Sequence, residues 1–166
     1  MSVAAARRPS LPRAVVVEDP PWLDVVDSAA EQRDYMAQWH RDLLALQNAP
    51  REIALAKRRA DAPDWSEIDQ SLSLDAKRQA DPRVLERYQL ARTPWREAVS
   101  GITAPLLLFT GEPTRGAYVT PALAREVCDL APAARWVHLA GAGHSARFGR
   151  FEPYLAALQQ FLREVT

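Results

Sequence analysis

The sequence predicts an α/β fold built on a short parallel sheet of about three strands with flanking helices. Three observations predict it. "AVVVE" (Ala14 to Glu18), "PLLLFTG" (Pro105 to Gly111) and "RWVHLAG" (Arg135 to Gly141) are continuous apolar runs rather than alternating ones, which is how strands covered on both faces read. The second and third runs are separated by "TPALAREVCDLAP", a helix signature. The third is followed by apolar residues at helical spacing.

Each element has a local cause. In the intervening helix Thr120 can cap, Pro121 suits the first helical position, and Leu123, Val127 and Leu130 form a stripe, so the pair of strands and the helix make a βαβ unit. Phe151, Tyr154, Leu155, Leu158, Phe161 and Leu162 mark a closing helix, with Pro153 near its start, whose apolar side packs on the sheet. The stretch 19–103 has a different texture. Ser28 and Glu31 form a capping box ahead of "AAEQRDYMAQWHRDLLALQ", and Pro50, Asp64, Asp81–Pro82 and Thr93–Pro94 mark further starts, giving about five helices. A crossover between parallel strands needs only about a dozen residues. This stretch is therefore a subdomain rather than a connection, leaving residues 1–18 and 104–166 as the sheet-bearing part. Trp22, Trp39, Trp65 and Trp95 fall inside it; they read as its own small core or as an apolar lining over a pocket.

Composition narrows the function classes. The chain has 166 residues, enough for one domain with a real core, and its 21 basic residues equal its 21 acidic ones. No nucleic-acid partner is expected from such a balance, because no region gathers positive charge; the brief "AKRRADAP" reads as a solvated helix face. Cys128 is the single cysteine, so neither an internal disulfide nor a multi-cysteine zinc site is available. A cytoplasmic, reducing compartment fits, with no membrane partner: the start "MSVAAARRPSLPR" has no apolar signal core, and no run of about 18 apolar residues occurs.

"AGAGHSARFG", from Ala140, places His144 in a small-residue turn between the third strand and the closing helix. The order of strand, acidic-proline loop, helical insertion, strand, "TGEP" loop, helix, strand, "GAGH" and helix resembles the C-terminal half of the α/β-hydrolase fold. The motifs that carry the likeness are "VVVEDPPW", "ITAPLLLFTGEP" and "VHLAGAGHSARFGRFEPYLAALQQFL", and it covers nearly all of the chain. The resemblance implies that the three strands are the sixth to eighth of that fold, that residues 19–103 are its helical cap, and that His144 completes a nucleophile–acid–histidine triad in that chain order.

On this likeness His144 is the general base, and Gly141 and Gly143 suit the turn that swings it over the strand ends. His40 and His138 have the plainer reading, the first as a residue of a cap helix and the second as one within the last strand satisfied by its neighbours. The acid stays open between two carboxylates. The usual G-x-x-D after the seventh strand is not met, since Gly111 is followed by Glu112, Pro113 and Thr114. Asp19, at the end of the first run, is favoured, as some members including haloalkane dehalogenases carry their acid there. Glu112 is the second candidate and Glu18 a remoter third. Read without the likeness, Asp19 is a turn initiator ahead of proline.

The nucleophile is the departure. No G-x-S-x-G elbow occurs, and "AAARRP", from Ala4, resembles the end of the helix that follows such an elbow, so the expected serine falls upstream of Met1. Ser2 lacks a preceding strand and flanking glycines, Ser145 is adjacent to His144, and Cys128 sits on a helix stripe. The resemblance thus implies hydrolysis of an ester, amide, carbon–halogen or carbon–carbon bond in a small, fairly apolar substrate, with no cofactor and with the nucleophile absent from this chain. The alternative is a non-catalytic truncated remnant or interaction module. With no fifth strand beside it, "AVVVE" becomes an apolar edge open to self-association.

Overall fold

In the computed structural model, residues 2–22, 29–87 and 94–165 are described. The chain divides into two compact units, Met1–Asp24 with Thr93–Thr166, and Val25–Arg92.

The first unit is organised by strands β1 (Val15–Glu18), β2 (Leu106–Thr110) and β3 (Ala134–His138), which pair in parallel in the order β1-β2-β3. Val15 stands opposite Leu106, and Leu106 opposite Ala134. Every residue of the central strand is buried, and the pleat explains why its apolar run is unbroken. Leu106 and Leu108 enter one core with Val15, Val17, Val99, Val119 and Val127; Leu107 and Phe109 enter another with Leu139, Ala146 and Phe161. Each Val, Leu or Phe side chain so buried is worth about 1.5–3 kcal/mol relative to exposure.

Helices cover the two faces. On the first lie α1 (Ser2–Arg7) and, further along the chain, a short helix over Trp95–Ser100 and a longer one over Pro121–Leu130. The Thr120 hydroxyl accepts the Leu123 N–H at 3.2 Å and Pro121 opens the longer helix, as its sequence predicts. On the second face the closing helix, Phe151–Val165, sets Phe161 and Tyr154 against β2, with the Tyr154 and Phe109 rings 4.2 Å apart. A single turn over Ala146–Gly149 precedes it.

The second unit contains α2 (Ala29–Asn48), α3 (Arg51–Asp61), α4 (Glu67–Gln79) and α5 (Arg83–Arg87). In chain order the helices of the first unit after α1 are then α6 (Trp95–Ser100), α7 (Pro121–Leu130), α8 (Ala146–Gly149) and α9 (Phe151–Val165). Polar side chains tie α2 to α4: the Gln47 amide donates to the carbonyls of Lys77 and Ala80, and the Arg78 guanidinium to those of Leu46 and Ala49. The start marked by Asp64 moves two residues on, because Ser66 accepts the Asp69 N–H and takes the capping position itself. Ser28 of the capping box and the start at Thr93 lie outside the described residues, while Pro94 directly precedes α6. The basic run of α3 is neutralised locally, with Lys57 on Asp61 and Arg59 on Glu67.

The tryptophans do not form the core of the helical unit. Trp22 and Trp95 belong to the first unit, where their rings stack at 5.7 Å. Trp39 is 44% exposed, and Trp65 carries the Arg58 guanidinium 5.0 Å from its ring. Met36, Leu43 and Leu85 form the small core instead. Helical spacing places residues on a face, but it does not say which face finds a partner. Among the described residues no helix is long and apolar enough to cross a membrane.

Candidate active site

Asp19 is where the parallel ladder ends. Its N–H still donates to the Phe109 carbonyl at 2.8 Å, continuing the β1–β2 pairing by one residue, and its φ of 40° then turns the chain away from the sheet. Aspartate is among the residues that tolerate this region, and Pro20 and Pro21 prevent the strand from continuing. The turn leaves the Asp19 side chain fully buried.

That carboxylate meets three donors. Val119 N–H reaches Oδ1 at 2.8 Å, Tyr118 N–H reaches Oδ2 at 2.8 Å, and His144 Nδ1 lies 2.8 Å from Oδ2. An ionised carboxylate only accepts, so Nδ1 carries the hydrogen and Nε2 is the free basic nitrogen whenever the ring is neutral. The hydrogen bond to Asp19 raises the His144 pKa above its ordinary value; partial burial opposes it, the charges of Asp19 and Glu18 add to it, and Arg147 reduces it. With its side chain 49% exposed, His144 remains open to solvent. The Tyr118 ring stands nearly perpendicular to the imidazole, 4.9 Å between centroids.

The loop bearing His144 is shaped by its glycines. Gly141 has φ 75°, a conformation that side chains disfavour. At Gly143 a Cβ would lie 2.5 Å from the Arg115 carbonyl oxygen, so only glycine permits the approach of the loop that follows β2.

Of the predicted site residues, the structure brings Asp19 and His144 together and holds the other two carboxylates apart from the imidazole's nitrogens. Glu112 Oε1 accepts the Gly141 N–H at 3.0 Å. Glu18 Oε1 accepts the Arg147 N–H at 3.0 Å, and its other oxygen takes the Arg147 guanidinium. Among the other histidines, His138 is bonded to Thr110 through Nδ1 at 3.2 Å, and Thr110 in turn accepts from the Trp136 indole. Ser2 is buried at the start of α1, and Ser145 directly precedes α8. Burial pushes the Cys128 thiol up, away from the thiolate that a nucleophile needs. Sequence reasoning missed the amides of Tyr118 and Val119. Their contact with Asp19 spans about a hundred positions, and backbone donors leave no mark in residue types.

Among the described residues no cluster of three or more histidine, cysteine or acidic side chains could hold a metal ion. The arrangement can orient an imidazole, fix its tautomer and stabilise the imidazolium that forms when Nε2 takes a proton.

No protein-family model and no curated protein matches the chain. Solved structures do. It is similar to MenH from S. aureus, with 14% identity and a TM-score of 0.67 over 99% of this chain and 64% of that one. It is similar to Rv0554 from Mycobacterium tuberculosis, with 20% identity and a TM-score of 0.67 over 99% and 61%. A proline iminopeptidase from Mycobacterium smegmatis follows at 18% identity and a TM-score of 0.58, over 99% and 61%. The chain thus spans 61–64% of the length of these three proteins. At such identities the likeness is one of fold.

Proposed function

From the premise that this chain carries a partial α/β-hydrolase fold, we propose that it supplies the acid and the histidine of a hydrolytic triad, Asp19 and His144. The observation that carries the reading is the 2.8 Å contact between His144 Nδ1 and a buried Asp19 carboxylate fixed by two further N–H donors. An imidazole so held takes the proton of a serine nucleophile at Nε2 and returns it to the leaving group; an aspartate nucleophile attacks as the carboxylate with no proton to give up, and with either one the imidazole then activates water against the covalent intermediate. Glu112 serves the loop rather than the imidazole.

In this reading the nucleophile, a serine or aspartate, belongs to sequence outside these 166 residues, because they contain no G-x-S-x-G. The substrate is a small, fairly apolar molecule cleaved at an ester, amide, carbon–halogen or carbon–carbon bond, and no cofactor is required. The helical unit takes the part of the cap, and the protein works in the cytoplasm. The missing elbow also favours a second reading, a non-catalytic protein or interaction module that keeps part of the hydrolase fold.

The test is to read the coding sequence upstream of Met1 for an in-frame strand followed by a nucleophile elbow, and to assay the longer protein on activated esters. Turnover abolished by His144→Ala supports the first reading. Turnover indifferent to that change overturns it, and the lack of any upstream elbow selects the second.

A further inference from the structure

His144 is bonded directly to one carboxylate, but its loop is held by two more. Gly141, three residues before it, donates its N–H to Glu112 Oε1 at 3.0 Å, and Glu112 returns the bond by donating its own N–H to the Ala142 carbonyl at 2.7 Å. Arg147, three residues after it, donates its N–H to Glu18 Oε1 at 3.0 Å and its guanidinium to Oε2. Glu18 and Asp19 are consecutive at the end of β1, and Glu112 lies two residues past the end of β2. We propose that Glu18 and Glu112 are positioning residues, each carboxylate clasping a backbone N–H three residues to one side of His144, so that the 141–147 loop is pinned at both ends and the middle to two adjacent strand termini.

The chemistry favours such an arrangement. A loop containing Gly141 and Gly143 has much backbone freedom to lose, and a ring at its centre would otherwise sample many positions. Both acceptors stand at or just past the ends of paired strands, which fixes the N–H groups they hold relative to the sheet. The Glu18 side chain as a whole is 13% exposed. One acceptor oxygen suffices at each N–H, and the clasp at Gly141 therefore needs an oxygen of the right reach, not a negative charge. This inference rests on Asp19–His144 being the working pair, but its readouts concern the resting protein.

The experiment is nuclear magnetic resonance on the intact chain. In the unmodified protein a through-hydrogen-bond coupling should link the Gly141 amide nitrogen to the Glu112 carboxyl carbon, and the Arg147 amide nitrogen to that of Glu18. Glu112→Ala should speed exchange of the Gly141 amide at least about tenfold and hasten loss of the His144 Nδ1–H signal. Glu112→Gln, which keeps the acceptor oxygen, should restore both. Glu18→Ala and Glu18→Gln should treat the Arg147 amide in the same way. Absence of the couplings overturns the proposal, whether or not the alanine variants fold; so does a Gln variant that behaves like its Ala counterpart. If instead the couplings are present while Asp19→Asn leaves the His144 ring signals unchanged, the clasps stand and the acid–histidine reading fails.

Discussion

The imidazole of His144 and the carboxylate of Asp19, 125 positions apart in the chain, meet at 2.8 Å where β1 ends. The carboxylate is buried and the imidazole half-exposed, so a fixed, solvent-shielded acceptor faces a ring that can exchange protons with water.

The titration of His144 follows from that pairing. The Asp19 hydrogen bond is the largest influence and raises the pKa; burial opposes it. Asp19→Asn removes the main raising influence and leaves burial in place, so the midpoint should fall to or below the ordinary value of about 6.5. A group whose folded pKa lies above its unfolded one contributes stability that is fully present below the unfolded pKa, here about 6.5, and that is lost as pH rises through the folded midpoint. The pH-dependent part of the stability difference between the unmodified protein and Asp19→Asn should therefore be largest in mild acid and shrink above neutrality. Titration of the ring carbons by nuclear magnetic resonance, with urea unfolding at several pH values, checks both. A midpoint at or below 6.5 in the unmodified protein would sink the prediction.

Asp19 should also matter to the fold. Removing its carboxylate in Asp19→Ala strands the buried N–H of Val119 and the part-buried N–H of Tyr118, and puts a residue with a Cβ but no polar group at φ 40°. An unsatisfied buried donor costs about 1–3 kcal/mol, so a loss of at least about 2 kcal/mol is expected from urea denaturation. Asp19→Asn should cost less, because its one oxygen still accepts while its amide group faces a donor. Equal stability of Asp19→Ala and the unmodified protein would mean that these contacts are not what holds the β1 end.

Much of this was legible in the sequence, and for identifiable reasons. The Val and Leu runs announced buried parallel strands because both faces of β1 and β2 are covered, and Thr120–Pro121 announced α7 because capping is local chemistry. His144 and Asp19 stood out through motifs at strand ends. The choice between Asp19 and Glu112 was legible only as a lean toward Asp19, since both are carboxylates just past strands. It turns on which one faces the imidazole, and that depends on the turn at φ 40° and on loop 115–119 folding over it. The tryptophans misled because Trp22 and Trp95, outside the described helices of the second unit, found each other beside the sheet.

The free side of β1 carries a prediction about association. Val15 and Asp19 donate their N–H groups toward the β2 side, to Pro105 and Phe109, so by the alternation of a parallel ladder those of Val16 and Glu18 point the other way. β1 is one of the two edge strands of the described sheet, and an apolar edge is a template for another strand. We propose that these 166 residues, expressed alone, self-associate through β1. Sedimentation should give a mass above the 18.5 kDa of one chain, and Val16→Lys should bring it down toward that value. A monomer at high concentration, or association indifferent to Val16→Lys, would count against it.

Asp19 and Glu112 should differ sharply in their effect on rate. In a form of the protein that bears the nucleophile, Asp19→Asn should lower kcat by about three orders of magnitude or more, because an acid that no longer fixes the Nδ1–H tautomer leaves Nε2 protonated and unable to act as base. Glu112→Gln should lower it less than about tenfold, because an amide oxygen can still accept the Gly141 N–H. Glu112→Ala should fall between them, acting through the position of the loop. Steady-state hydrolysis of an activated ester by the three variants, each first checked for native folding, measures the order. If Glu112→Gln were the more damaging, the carboxylate of Glu112 would have to reach the imidazole during turnover, and Asp19 would be left as a structural anchor for the 115–119 loop.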